Sequence, residues 1–365
     1  MKILQIIPHL GSGGAERFVV DLSNELCLLG QQVVLCTLYK LDGALGFYKN
    51  DIDPSVKVIS LDKHPGFSLK SIFQLIKIIN QESPDVIHSH VNVLQYSAIS
   101  QIFQAKGFHT VHNEAHREAA GLLEILLRKF VFKTGLITPV SISNESHDSF
   151  VSFYHRDVYL INNGRSIGNV SVSQNVKDEI QHFVMNENTK VIVHLARFQE
   201  QKNIPMMARV ANRLFSEGYN FTLLFIGNTD NEKILEEVKR EMPSCAHVLG
   251  ERHNPLEYLM EAGCFALSSL YEGMPISLIE ALGVGALPVC TPVGGIPNAI
   301  VNGENGILSS DTSEDAYYLA LKSYLDLPIE IINQMRVKAK ESFKPYSMSV
   351  CAKRYLDLFL KYSLK

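Results

Sequence analysis

SSLYEGMPISLIEALGVGALPVCTPVGGIPNAI, residues 268–300, decides how the rest of this chain is read. It follows the apolar run CFAL and opens on two small hydroxyl residues and an aromatic. Glu272, a glycine turn and Pro275 lead into a short amphipathic helix that carries Glu280 and stops at Gly283-Val284-Gly285. The buried-type strand ALPVCTPV then takes over. Two carboxylates eight residues apart thus straddle a helix N-terminus, where unpaired N–H groups and the helix dipole favour an anion. A proline just inside the helix start loses no intrahelical bond. Amides for a phosphate beside carboxylates for hydroxyls suit a nucleotide sugar.

Outward from this stretch the chain alternates strands and helices. Within its own half precede the strand TKVIVHLA, a polar loop RFQEQKN, the helix IPMMARVANRLFSEG, the strand FTLLFIGN, the helix NEKILEEVKREMP, the strand AHVLG and the helix NPLEYLMEAG. The first half runs the same programme from KILQIIP and the glycine-rich turn GSGGAE, residues 11–16. It continues through QVVLCTLY, VKVISLD, the helix over 68–82, DVIHSH, a helix over 95–104, FHTVHN, an apolar helix over 121–133, LITPVSIS, a helix over 143–154 and VYLINNG. RSIGNVSVSQN has no hydrophobic period and reads as a linker. The fold class expected is α/β, with two Rossmann-like domains, 1–164 and 165–346, facing each other across a cleft. A final helix, about 347–365, follows a proline-marked break and returns to the first domain.

Composition fits this reading. The length of 365 residues allows about two domains, each with its own core. Apolar residues make up 46% and charged residues 20%, and the net charge of -4 does not suit a nucleic-acid binder. Cys27, Cys36, Cys264 and Cys290 sit in apolar runs without CxxC pairs, which predicts buried free thiols in a reducing cytoplasm. MKILQIIPHL does not read as a signal peptide, and no run approaches the ~20 apolar residues of a membrane span. The expectation is a cytoplasmic protein that touches a membrane peripherally at most.

The chemistry must come from polar residues at strand ends. Arg197 follows VIVHLA directly and Lys202 lies five residues on, so two cations on one loop can clamp a diphosphate. Two surface charges on a solvated loop is the bland reading of that spacing. Gly13 and Gly14 allow close backbone approach to a ligand, or simply a tight strand-to-helix turn.

Together these stretches resemble a retaining glycosyltransferase of the GT-B fold, in the group-1 (family 4) class. GGAE after the first strand, His112 after FHTV, INNG at the domain junction, R-x4-K at Arg197 and Lys202, EGMPISLIEA as the E-x7-E element and PVGGIP all stand in order. The resemblance implies that Arg197 and Lys202 hold the donor diphosphate and stabilise the leaving nucleotide. It implies that Glu280 takes the ribose hydroxyls, and that Glu272 takes hydroxyls of the donor sugar. The backbone near Met274, Ile276 and Ser277 would meet sugar and phosphate. Pro275 cannot donate, which leaves the amides of Ile276 and Ser277. His112 would serve the sugar from the first domain, Gly13 and Gly14 would approach phosphate or acceptor, and the base would lie near Leu249 and Gly250. No metal and no other cofactor is implied, because the cations and the helix start offset the diphosphate charge. In the mechanism usual for such enzymes, the departing phosphate oxygen takes the acceptor proton. Expected partners are a nucleotide sugar, UDP-linked, carrying a hexose or N-acetylhexosamine, and a glycan or lipid-linked acceptor of surface-polysaccharide synthesis. Ala196, where glycine is common, and Asn298, often glutamate, depart from the pattern.

Other readings are weaker on the residues. Asp51-Ile52-Asp53 is a DxD triplet that could bind a metal, but it precedes Pro54 far from any nucleotide signal. His88, His90 and His112 could chelate, and HNEAH places its glutamate one position off the HExxH zinc pattern. An NAD-dependent oxidoreductase needs a third glycine where Glu16 stands and an acid where the second strand ends in Leu38-Tyr39-Lys40. A nucleotide-sugar epimerase of similar architecture would need more acid/base groups at the sugar, and a silent nucleotide-sugar binder would show no turnover. The helix over 121–133, apolar with Arg128, Lys129 and Lys133 towards its end, reads either as an interfacial helix near a lipid-linked acceptor or as a buried helix whose cations complement its dipole.

Overall fold

The computed structural model describes residues 1–98, 105–118 and 121–363. The chain divides into two compact units, residues 1–166 with 345–365, and residues 167–344. The first unit runs β1 (Lys2–Ile7), α1 (Gly14–Leu28), β2 (Gln32–Thr37), β3 (Lys57–Ser60), α2 (Leu69–Glu82), β4 (Val86–His90), α3 (Leu94–Ser97) and β5 (Lys106–Val111). It continues with α4 (Leu122–Thr134), β6 (Ile137–Ser141), α5 (Asn144–Tyr154) and β7 (Tyr159–Leu160). The helix expected over 95–104 coincides with α3 only at its start; residues 99–104 lie outside the described residues.

The second unit opens with α6 (Gln174–Phe183), then β8 (Lys190–Leu195), α7 (Ile204–Ser216), β9 (Phe221–Ile226), α8 (Glu232–Glu241), β10 (Ala246–Gly250) and α9 (Pro255–Ala262). It ends with β11 (Cys264–Leu267), α10 (Ile276–Val284), β12 (Leu287–Cys290), α11 (Ile296–Ala299), β13 (Ile307–Leu308), α12 (Glu314–Asp326) and α13 (Ile329–Ser342). The last helix, α14 (Met348–Ser363), belongs to the first unit, where Tyr355 and Phe359 pack on His88 and Phe108.

Both sheets are parallel and share one topology. The first has the order β3-β2-β1-β4-β5-β6-β7 and the second β10-β9-β8-β11-β12-β13. Strands covered on both faces read as unbroken apolar runs, and FTLLFI of β9 is buried at every position. In each sheet the order reverses beside the first strand, between β1 and β4 and between β8 and β11. Ligands of doubly wound sheets bind outside the carboxyl ends of the strands at that reversal. The loops after β8 and β11 are therefore the ones that matter in the second unit.

Three local expectations need revision. The helix α10 is not amphipathic: eight of its nine residues are buried, Glu280 among them. Pro275 caps it from outside rather than occupying its first turn. The presumed linker is ordered at both ends: Arg165 pairs with Ser347 as a β-bridge, and α6 begins at Gln174. No helix among the described residues is long and apolar enough to cross a membrane. All six cysteines are free thiols, five of them buried.

Candidate active site

At the reversal of the second sheet, two loops are laced into one body. The loop after β8 ends in a single 3-10 turn, Glu200–Lys202. The Leu270 N–H donates to the Gln201 carbonyl at 2.8 Å, and Gln201 Nε2 donates to the Tyr271 carbonyl at 2.9 Å. Ser268 Oγ donates to the Lys202 carbonyl at 2.9 Å. The two small hydroxyl residues that open the decisive stretch are thus fasteners: Ser268 grips the R-x4-K loop, and Ser269 Oγ donates to Glu272 Oε1 at 2.6 Å. A third loop, PVGG, closes over them through the Gly295 N–H, which donates to the Gly273 carbonyl at 2.6 Å. Gly294 lies so close that a Cβ there would stand 2.0 Å from the Glu272 carbonyl oxygen, at a φ of +55°.

This lacing brings Lys202 and Glu272 together. Lys202 Nζ is 2.6 Å from Glu272 Oε1, and the Glu272 side chain is 5% exposed. Gln201 Nε2 reaches the other carboxylate oxygen at 3.3 Å. Arg197, five residues before Lys202, is exposed and pairs with no carboxylate among the described residues. Gly227, at the end of β9, makes room for its backbone: a Cβ there would stand 2.0 Å from the Ala196 carbonyl oxygen. His194, buried on β8, donates from Nδ1 to the Ala266 carbonyl of β11 at 2.9 Å, across the reversal itself. Its Nε2 is then a bare acceptor with no partner among the described residues. Burial pulls its pKa down to about 3, and the nearby Lys202 charge pulls the same way against the Ala266 hydrogen bond.

Of the remaining expected donor residues, Met274 is buried beside the loop, Ile276 opens α10, Ser277 is half-buried and Glu280 lies at the start of its second turn. Leu249 and Gly250 end β10, and the Gly250 carbonyl accepts from the Gly227 N–H at 3.0 Å. Their loop has a brace that the sequence did not disclose. Arg252 donates to the Leu249 carbonyl, to Tyr258 Oη at 3.1 Å and to Glu179 Oε1 at 2.7 Å. Glu179 sits on α6, a polar helix with only Val176 and Ile180 buried, so no hydrophobic stripe announced it.

In the first unit, Gly13 caps α1 and Gly14 opens it. The carboxylate nearest that helix start is the chain's own: a Cβ on Gly13 would lie 2.1 Å from Glu16 Oε2. His112 follows β5, and its loop is held from below. The N–H groups of His112 and Asn113 both donate to Glu118 Oε1, and Arg128 Nη1 donates to Glu118 Oε2 at 3.1 Å. Arg128 is therefore no interfacial cation. It is 1% exposed and bonds buried Glu118 and half-buried Glu124, because a charge so buried needs a counter-charge. The ring of His112 meets His90 Nδ1 at 3.2 Å, and His90 Nε2 meets Gln5 Oε1 at 2.8 Å. Burial holds the His112 pKa down to about 4 although Glu118 opposes it.

The metal-like patterns have structural partners. Asp51 pairs with Arg17, and Asp53 accepts from Ser55 while its own N–H donates to Asn24. His88 Nε2 meets Thr110 Oγ1 at 2.7 Å. Among the described residues no group of three or more His, Cys, Asp or Glu side chains is placed to hold a metal ion.

The profile of "Glycosyltransferase Family 4" matches residues 12–194, half of the chain, and that of "Glycosyl transferases group 1" matches residues 175–342. A Campylobacter jejuni enzyme, "GalNAc-alpha-(1->4)-GalNAc-alpha-(1->3)-diNAcBac-PP-undecaprenol alpha-1,4-N-acetyl-D-galactosaminyltransferase", is 25% identical, with 98% of each chain covered. An Escherichia coli enzyme, "UDP-Gal:alpha-D-GlcNAc-diphosphoundecaprenol alpha-1,3-galactosyltransferase", is 24% identical over 88% of this chain and 87% of its own. HepE of Anabaena, solved in complex with UDP and glucose, superposes with a TM-score of 0.82 at 18% identity, over 99% of this chain and all of the other. With the E-x7-E and R-x4-K loops laced together at the sheet reversal, this chain belongs to the group 1, family 4 glycosyltransferases of the GT-B fold.

Proposed function

We propose that the protein transfers a hexose or N-acetylhexosamine from a UDP-sugar to a lipid-linked glycan in surface-polysaccharide synthesis, with retention and without a metal. The observation that carries this is the meeting of Lys202 and Glu272 at the reversal between β8 and β11, a cation for a phosphate beside a carboxylate for hydroxyls. Arg197 and Lys202 take the diphosphate and stabilise charge on the leaving nucleotide. The amides of Ile276 and Ser277 add donors at the start of α10, Glu280 takes the ribose and Glu272 the sugar. Leu249 and Gly250, braced by Arg252, take the base, and Gly13 and Gly14 approach phosphate or acceptor. His112 is the residue of the first unit assigned to the transferred sugar. In this reaction the departing phosphate oxygen accepts the acceptor proton, so no side-chain base is needed.

The relatives' names supply the rest of the reading: a UDP donor and diphosphoundecaprenol-linked acceptors. The exposed side of α4 supports contact with an anionic membrane. Leu122, Leu123, Leu126 and Phe130 are more than half exposed, beside exposed Lys129 and Lys133. Leu123→Asp with Lys129→Glu should abolish binding to anionic vesicles; unchanged binding rejects that contact.

A thermal-shift panel of UDP-, GDP- and ADP-sugars tests the donor, since a ligand of the native state raises the melting temperature. Stabilisation by UDP-sugars, an anomer-retaining product on a diphospholipid-linked acceptor, and activity that survives a chelator are expected. An inverted product, or loss of activity restored only by a divalent cation, overturns the corresponding part.

A further inference from the structure

The two cations of the R-x4-K loop are not equivalent. Arg197 is exposed and unengaged by any carboxylate among the described residues, so recruiting it to an anion breaks nothing. Lys202 is already committed to Glu272 at 2.6 Å, with side-chain exposures of 14% and 5%. A carboxylate so buried is costly without a counter-charge. Its other partners are neutral: Ser269 Oγ at 2.6 Å and Gln201 Nε2 at 3.3 Å. The lacing of the two loops holds these groups in place, so Glu272 does not swing into water when Lys202 is drawn away.

An incoming diphosphate therefore draws Lys202 towards itself and places negative charge beside a buried carboxylate. A ligand that also brings sugar hydroxyls offers Glu272 new donors in exchange. A nucleoside diphosphate without its sugar offers none. We propose that the Lys202–Glu272 ion pair is a placeholder that makes the site prefer the intact nucleotide sugar over the free nucleoside diphosphate. This rests on the donor-site reading above. It also gives Glu272 a part in the end of the cycle: once the sugar has left, the carboxylate reclaims Lys202 and loosens the hold on the product.

Calorimetric titration with UDP and with UDP-glucose, UDP-galactose and their N-acetylhexosamine counterparts tests this on the wild type, on Glu272→Gln and on Glu272→Met. The Gln variant keeps the side-chain shape and the acceptor for Ser269, and melting temperatures report whether each variant is folded. The wild type should bind at least one UDP-sugar more tightly than UDP. Either variant should bind UDP at least ~10-fold more tightly than the wild type, with the preference for the intact donor lost and inhibition by UDP strengthened. In a Lys202→Gln background the same change at Glu272 should raise UDP affinity far less, because the cation it frees is gone. UDP affinity unchanged or weaker in a folded Glu272 variant overturns the placeholder and leaves the donor site standing. Failure of the wild type to bind UDP or any of the UDP-sugars overturns the UDP-donor reading, and the placeholder falls with it.

Discussion

Arg128 carries a full charge to a position that is 1% exposed, where it answers Glu118 and Glu124. Through Glu118 it fixes the backbone of His112 and Asn113. Replacing it with Met should cost about 3–5 kcal/mol in denaturant unfolding, because buried Glu118 loses its guanidinium counter-charge. Adding Glu118→Gln should restore part of that loss. The sequence showed His112 as a strand-end histidine but could not show this pair, since Glu118 and Arg128 stand ten residues apart in what reads as a loop and an apolar helix. A second consequence concerns acid. His112, with a pKa of about 4, and His194, about 3, are neutral in the fold and protonate near pH 6.5 when unfolded. Unfolding below that pH takes up protons, so stability is full above it and falls as the pH drops towards 4. The slope is roughly 1.4 kcal/mol per pH unit for each histidine. Urea midpoints should be lower at about pH 5 than at about pH 7.5, and equal midpoints would contradict it.

At the scale of elements, the best-read piece is α10 with its flanking loops. Its C-terminal end was visible because glycine ends it, its start was read one residue early at Pro275, and its apolar run left little choice of partner. Its burial on all sides was not visible, since a nine-residue helix is too short for its period to be measured against a fully covered alternative. The lacing of the loops escaped as well, because Ser268 and Gln201 act through backbone carbonyls that have no signature in sequence. Gly294 tests how much the lacing matters. Ala there would clash with the Glu272 carbonyl at a left-handed φ, and must push the PVGG loop off the E-x7-E loop. Gly294→Ala should lower donor affinity more than ~10-fold by titration while the protein still melts cooperatively. Donor affinity within about twofold of wild type would show that the PVGG loop does not hold Glu272 in place.

For the whole molecule, topology was legible from the alternation of strands and helices, because parallel sheets need crossovers and those crossovers are right-sized helices. The joint between the units was not. Arg165, read as the start of a linker, is instead anchored through its N–H, its carbonyl and its guanidinium. Its N–H donates to the Tyr346 carbonyl at 2.9 Å, its carbonyl accepts from the Met348 N–H at 3.0 Å, and its guanidinium donates to buried Asp21 at 2.6 Å. Asp21 also accepts from the Ser166 N–H at 3.0 Å. The chain thus departs from the first unit and rejoins it at a single anchored point. In the second unit, Ile167 and Phe343 meet on Gly283, so that unit's own ends also converge. Residues 167–344 can then be exchanged as a cassette. A chimaera carrying that segment from a relative with a different donor should fold and should take the relative's nucleotide sugar, as read by donor competition. Retention of the original donor preference would show that the first unit shares in choosing it.

The convergence of those ends on Asp21 and Gly283 bears on how such enzymes diversify. A duplicated gene recombined near codons 166 and 345 joins two inherited units at points where the ends of each already converge. New pairings of donor and acceptor could then arise in a single crossover pair rather than through a long series of point substitutions.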